Sequence, residues 1–197
     1  MQSYEQADIK GLAVGGLAAD ARGNKRAGFS PFAFKLPSLR CPFGASLWQE
    51  AEGDRKNICF SLDDQAVLEF FERLDQHILE LAYEQSKEFF GTQLRMDVLQ
   101  SLYTPLVRPN KSKDYAPVAR AKINLLGRKA VRCYDAAYKP IPIPEDLATD
   151  MIPAMLLTHL WFQSKSFGAI LEVTHALIAE PQVACPFGTP EEQDVPM

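Results

Sequence analysis

The chain has 197 residues, 47% hydrophobic and 23% charged, with a formal net charge of −4. That length suits one domain around a single core, and the composition excludes a disordered or collagen-like chain. No apolar run is long enough to span a bilayer, and the Gly/Ala stretch from Gly11 to Ala19 lacks the leucine-rich centre of a secretory leader. A soluble intracellular protein, cytoplasmic or nuclear, is therefore expected, with no membrane partner.

In chain order, residues 1–28 mix Gly, Ala and polar residues without sustained periodicity, which predicts a flexible arm with no core role. Phe32 to Leu36 alternates like a strand before Pro37, Pro42 and Gly44 force turns, and Asn57 to Leu62 predicts a second strand. From Asp63 to Phe90, Val67, Phe70, Phe71, Leu74, Ile78 and Leu81 recur at helical steps. Ser61 followed by Asp64 gives that helix a capping-box-like start and Gly91 its stop, while Glu69, Glu72, Glu80, Glu84 and Glu88 make the opposite face acidic. A shorter helix is expected from Gln93 to about Tyr103.

The charge then changes sign. Between Arg108 and Lys139 nine basic residues stand against two acidic ones, a net charge of +7. After a polar loop from Arg108 to Asp114, Val118 to Leu125 alternates so that Val118, Arg120, Lys122 and Asn124 share one face and Ala119, Ala121, Ile123 and Leu125 the other. Gly127 suggests a turn into a strand at Ala130 to Ala137, and a hairpin would bring Arg120, Lys122, Arg132 and Tyr134 together. Pro140, Pro142 and Pro144 predict an extended connector. Met155 to Phe162 and Ala169 to Ile178 predict a last hairpin, followed by an acidic tail over 181–197.

The basic stretch fits either a solvated polar surface or a phosphate-binding one, where each neutralised phosphate releases counterions. Tyr115, Tyr134 and Tyr138 lie among the cations, as stacking on exposed bases would want, although strand tyrosines often pack in cores. Trp48, Trp161, Phe43, Phe162 and Phe167 could also stack on bases, but large aromatics normally build the core, and most of these are expected there. Cys41, Cys59, Cys133 and Cys185 are too far apart for a zinc site or a disulfide scaffold and predict reduced thiols. His77, His159 and His175 announce no metal centre, with His159 and His175 as possible neighbours across the last hairpin. A Cys–His pair such as Cys41 or Cys185 with His159 is the thiol-enzyme alternative, but no P-loop, nucleophile elbow or dinucleotide fingerprint supports catalysis. No cofactor, metal or catalytic residue is expected.

Four fragments carry a family likeness: Leu39-Arg40-Cys41-Pro42-Phe43-Gly44 with Trp48, the strand Ile58 to Leu62, Tyr115-Ala116-Pro117 leading into Lys122-Ile123, and Trp161-Phe162 before Lys165, Phe167 and Gly168. Together they resemble the OB-fold single-stranded DNA-binding proteins of bacteriophages and large DNA viruses. The resemblance implies an α+β domain over 29–180, built on an OB-like antiparallel barrel with helices inserted near 63–103. It further implies stoichiometric, non-catalytic binding of single-stranded DNA in replication, recombination or repair, in a viral setting. Combined with the charge pattern, it nominates Arg108, Lys111, Lys113, Tyr115, Arg120, Lys122, Arg128, Lys129, Arg132, Tyr134 and Lys165 as nucleic-acid contacts. The acidic tail would engage replication proteins, and a homo-oligomer would fit, though the Val195-Pro196-Met197 ending departs from the aromatic close of the phage tails. The alternative function is a structural or assembly protein that binds other proteins through its charged surfaces.

Overall fold

A computed structural model describes residues 1–20, 23–46, 55–110, 112, 114–145 and 147–178. Along the chain run β1 (Gln2–Ser3), β2 (Val14–Ala19), β3 (Lys25–Lys35), β4 (Leu39–Arg40), β5 (Ala45–Ser46) and β6 (Arg55–Ser61). The helices α1 (Gln65–Glu84), α2 (Ser86–Phe90) and α3 (Met96–Leu102) follow. Then come β7 (Tyr103–Thr104), β8 (Val107–Arg108), β9 (Val118–Asn124), β10 (Arg132–Tyr134), β11 (Pro140–Ile141), β12 (Asp150–Gln163) and β13 (Ser166–Ile178).

The strands form one mixed sheet whose main path is β1-β3-β12-β13-β9-β6-β5. The class is α+β, as expected, but the path is open: among the described residues no ladder joins β5 back to β1. The last hairpin forms its spine. β12 and β13 pair antiparallel over almost their whole length and turn at Ser164 and Lys165. Two irregularities, between Ala154 and Met155 and between Leu157 and His159, bend β12 and strengthen its twist.

α1 closes one face because its apolar residues fall on one stripe. Val67, Phe70, Phe71, Leu74 and Ile78 are all buried, and the rings of Phe70 and Phe71 meet Phe34 of β3 edge to face. Asp64 caps the helix by accepting from the N–H groups of Ala66 at 2.8 Å and Val67 at 3.4 Å. The expected single helix breaks at Gln85, and α2 then ends on Gly91 with φ 79°.

The first 28 residues correct an expectation. Leu12, Val14 and Ala27 are buried, β2 pairs with β3, and the boundary expected at residue 29 falls inside β3. β2 hides its strand character because Val-Gly-Gly-Leu-Ala-Ala carries small side chains on an edge, with no polar and apolar residues to alternate.

The hairpin expected from β9 and β10 does not form. Gly127 adopts the left-handed φ of 79° that a turn needs, but the chain leaves this excursion in β9's own direction. Both strands lie parallel to β13, β9 opposite Glu172 and Val173, β10 opposite His175 to Leu177. One bond spans the excursion, from the Val131 N–H to the Asn124 carbonyl at 2.8 Å. Adding β7 at Phe167 and Gly168, three short segments lie in file along one edge of β13.

Candidate functional site

Pairing and burial together define an outward sheet face. Ala119, Ala121 and Ile123 point into the core, so Arg120, Lys122 and Asn124 point out. Lys122 lies opposite Glu172, Arg132 opposite His175 and Tyr134 opposite Leu177. Cys133 is buried between Arg132 and Tyr134, and Val173 and Ala176 are buried beside their partners. The four residues grouped in the sequence thus share a face without sharing a hairpin. On β6, Asn57 stands opposite Lys122 and Arg55 opposite Asn124.

A cleft of about 240 Å³ opens on this face, with Arg108, Arg120 and Lys122 in its wall beside Asn57 and Trp161. Among the described residues these three cations make no salt bridge with a carboxylate. Their crowding has an electrostatic signature. Burial, then the neighbouring Arg120, lowers the pKa of Arg108, and burial followed by Arg120 and Arg55 lowers that of Lys122. Glu172 does not relieve them, because its carboxylate is engaged by Arg55 Nη2 at 3.1 Å and by Asn124 Nδ2 at 2.9 Å. His159, on the same face, is held toward its neutral form by burial and then by Arg55 and Arg26. Such a face attracts polyanions.

Asp75, buried on α1, fixes the segment that carries Arg108. Its carboxylate accepts from the Tyr103 hydroxyl at 2.6 Å, the Leu106 N–H at 2.9 Å and the Val107 N–H at 3.1 Å. β8 then pairs with β9, placing Arg108 opposite Val118 on Arg120's face.

Trp161 is half-buried in the cleft wall, against the core role expected for it. Gly168 makes room for its ring. A Cβ there would stand 2.8 Å from the Thr104 carbonyl oxygen and 3.0 and 3.1 Å from the indole. Gly168→Ala is accordingly expected to cost about 1–3 kcal/mol by overpacking and to move the Trp161 indole N–H resonance. An unchanged unfolding midpoint and resonance would refute that close packing.

The other nominated residues are spread more widely. Arg132 is exposed, and the Tyr134 ring stacks on His175 with centroids 6.2 Å apart. Arg128 and Lys129 are exposed on the loop between β9 and β10, Lys165 is exposed at the tip of the last hairpin, and Tyr115 is exposed on the loop before β9. Lys111, Lys113, Trp48 and the tail over 181–197 lie outside the described residues. Phe43 is exposed rather than in the core, whereas Phe167 is fully buried and Phe162 packs on Phe89, Phe90 and Phe167.

Sequence reasoning missed Asn57, Arg55 and Arg26, and it weighed Trp161 as a stacking ring but favoured the core. Arg26 lies opposite Trp161, and His159 lies opposite Gly28 and Ile170. His159 and His175 are therefore not cross-strand neighbours, because His175 faces Ala154. Cys41, Cys59 and Cys133 are free thiols, and burial above all pushes Cys41 up to about 11, opposite to the shift that activates a nucleophile. Among the described residues no His/Cys/Asp/Glu group could hold a metal ion, and no helix is long and apolar enough to cross a membrane.

Residues 48–192 match a family of unknown function, DUF5871. The chain belongs to that family. No curated protein matches it. Among solved structures it is similar to gp2.5, a single-stranded DNA-binding protein encoded by bacteriophage T7. The sequences are 12% identical, the match covers 83% of this chain and 92% of that one, and the TM-score is 0.55. The single-stranded DNA-binding protein from bacteriophage Enc34, solved in complex with ssDNA, matches at 10% identity over 86% of this chain and 95% of that one, with a TM-score of 0.49. At such identities the likeness to the T7 protein is one of fold. It bears out, at that level, the resemblance to phage single-stranded DNA-binding proteins carried by the sequence fragments.

Proposed function

We propose that this DUF5871 member binds single-stranded DNA stoichiometrically and without catalysis, covering strands exposed during replication, recombination or repair. The observation that carries the proposal is the crowding of Arg108, Arg120 and Lys122, without carboxylate partners among the described residues, around a cleft walled by Trp161. Cations hold phosphates and an aromatic ring supports a base, a combination suited to single strands because duplexes hide their base faces. Arg132 and Tyr134 extend the same face, and the fold shared with the T7 protein supports the reading. In it, the open sheet serves as an OB-like barrel, a view supported by the bends in β12.

Lys111, Lys113, Tyr115, Arg128, Lys129 and Lys165 are proposed as outer phosphate or base contacts, and the acidic tail as the contact for replication proteins. The test is titration of fluorescent oligonucleotides across a salt series, with duplex as control. Single strands should bind more tightly than duplex, with log affinity falling linearly against log salt. Absence of single-strand binding at low salt sinks the proposal.

A further inference from the structure

Tyr138 lies outside the cleft, on the turn from Asp135 to Lys139 that joins β10 to β11. Among the described residues it is the one non-glycine residue with positive φ, at 60°. A bulky side chain is costly in that left-handed conformation, which glycine or asparagine adopts readily. The turn is nonetheless closed from within. The Asp135 N–H donates to the Lys139 carbonyl at 3.0 Å, and the Asp135 carbonyl accepts from the Tyr138 N–H at 2.9 Å. Asp135 Oδ1 accepts from the N–H groups of Ala137 at 2.9 Å and Lys139 at 2.8 Å. Held this way, Tyr138 is 77% exposed, more than any other large hydrophobic residue described. A ring so exposed contributes little to the core, so the backbone strain it imposes points to a partner outside the chain.

Its position says which partner. β13 measures out the cationic face: Ile170 lines the cleft, Glu172 lies opposite Lys122, His175 opposite Arg132 and Leu177 opposite Tyr134. From Ile170 to Leu177 is roughly 24 Å of strand. The turn follows β10 past Leu177, at the end of the face remote from the cleft. The Tyr134 ring is already stacked on His175, which leaves Tyr138 as the open ring at that end, with Lys139 exposed beside it.

Resting on the single-strand reading above, we propose that the bound strand runs along β13 from the cleft to Tyr138, which stacks on a base at the far end while Lys139 meets the adjoining phosphate. The site then has an aromatic ring at each end, Trp161 and Tyr138, with Lys122 and Arg132 between them. A strand at the stacked spacing of about 3.4 Å per nucleotide needs about seven nucleotides to reach both rings, and fewer if it is stretched. A shorter strand engages one end only.

The full chain tests this with thymidine oligonucleotides of increasing length, titrated at one low salt concentration. For strands long enough to reach both ends, Tyr138→Ala should weaken binding about tenfold, within what one stacked base provides. The shortest strands should bind the variant and the native chain alike. Tyr138→Phe, which restores the ring, should recover the lost affinity. Tyr138→Asn should bind as the alanine variant does while raising the thermal midpoint, because asparagine relieves the left-handed backbone. An unchanged affinity for Tyr138→Ala at every length, or an equal loss at every length, overturns the far-end contact and leaves the single-strand function standing. A lowered midpoint for Tyr138→Asn shows a ring packed for stability and overturns it as well. Binding of no length at low salt overturns the function itself, and the path along β13 with it.

Discussion

Replacing Arg108, Arg120 and Lys122 together by methionine is expected to weaken single-strand binding about a hundredfold at low salt while raising the protein's thermal midpoint. Three contacts of about 1 kcal/mol each give that loss. At about 0.7 per phosphate contact, the slope of log affinity against log salt should flatten by about 2. The opposite effect on stability follows from the crowding. Burial and the charges of Arg120 and Arg55 lower the pKa of Lys122, and burial with Arg120 lowers that of Arg108. For a base whose folded pKa lies below its unfolded one, the charged form is penalised in the fold at neutral pH, and the penalty fades as pH rises through the lowered value. Methionine keeps the apolar stems packed and removes the repulsion. Unchanged affinity and slope would place the nucleic acid elsewhere, and a lower midpoint would refute the repulsion.

Asp75→Ala is expected to cost about 3–5 kcal/mol of unfolding free energy, at least about 1 kcal/mol for each of three donors left unpaired, read from the urea midpoint. Three donors would lose their acceptor at once: the Tyr103 hydroxyl and the N–H groups of Leu106 and Val107. Asp75→Asn should cost less, about 1–3 kcal/mol. It keeps Oδ1, which serves Tyr103 and Leu106, but sets an NH₂ group against the Val107 N–H. Burial is the leading cause of the raised Asp75 pKa, outweighing the three hydrogen bonds that lower it. For an acid so shifted, ionisation is penalised in the fold above the folded pKa, and the penalty fades as pH falls through that value toward the unfolded one. A loss under 1 kcal/mol for Asp75→Ala would show that the segment from Tyr103 to Arg108 is held by other contacts.

What was legible in the sequence follows from how regular each element is. α1 announces itself because Val67, Phe70, Phe71, Leu74 and Ile78 form one stripe, although the cap is Asp64 itself and not Ser61, as a capping box over the two would have it. β9 does so because strict alternation sorts Ala119, Ala121 and Ile123 inward and Arg120 and Lys122 outward. Trp161 was not legible because the irregularities in β12 change its parity: Met151, Met155 and Leu157 face the core, but so does Leu160, leaving Trp161 on the outer face. Asn57 and Arg55 join the site through pairing across β6 and β9, and no local pattern records which strand lies beside which. The course of β10 depended on the third strand, β13, and not on the turn at Gly127.

The three-segment file along β13 means that the basic run is not a portable module. Arg108, Lys122 and Arg132 are close in sequence, yet their relative placement is set by strands outside the run: Arg108 is held through Asp75 of α1, Lys122 and Arg132 through Glu172 and His175 of β13. Excised as a peptide, residues 108–139 would keep their charge and lose the spacing between cations. Conversely, an insertion in the excursion from Leu125 to Ala130 should leave that spacing intact, because β13, and not the intervening loop, measures it.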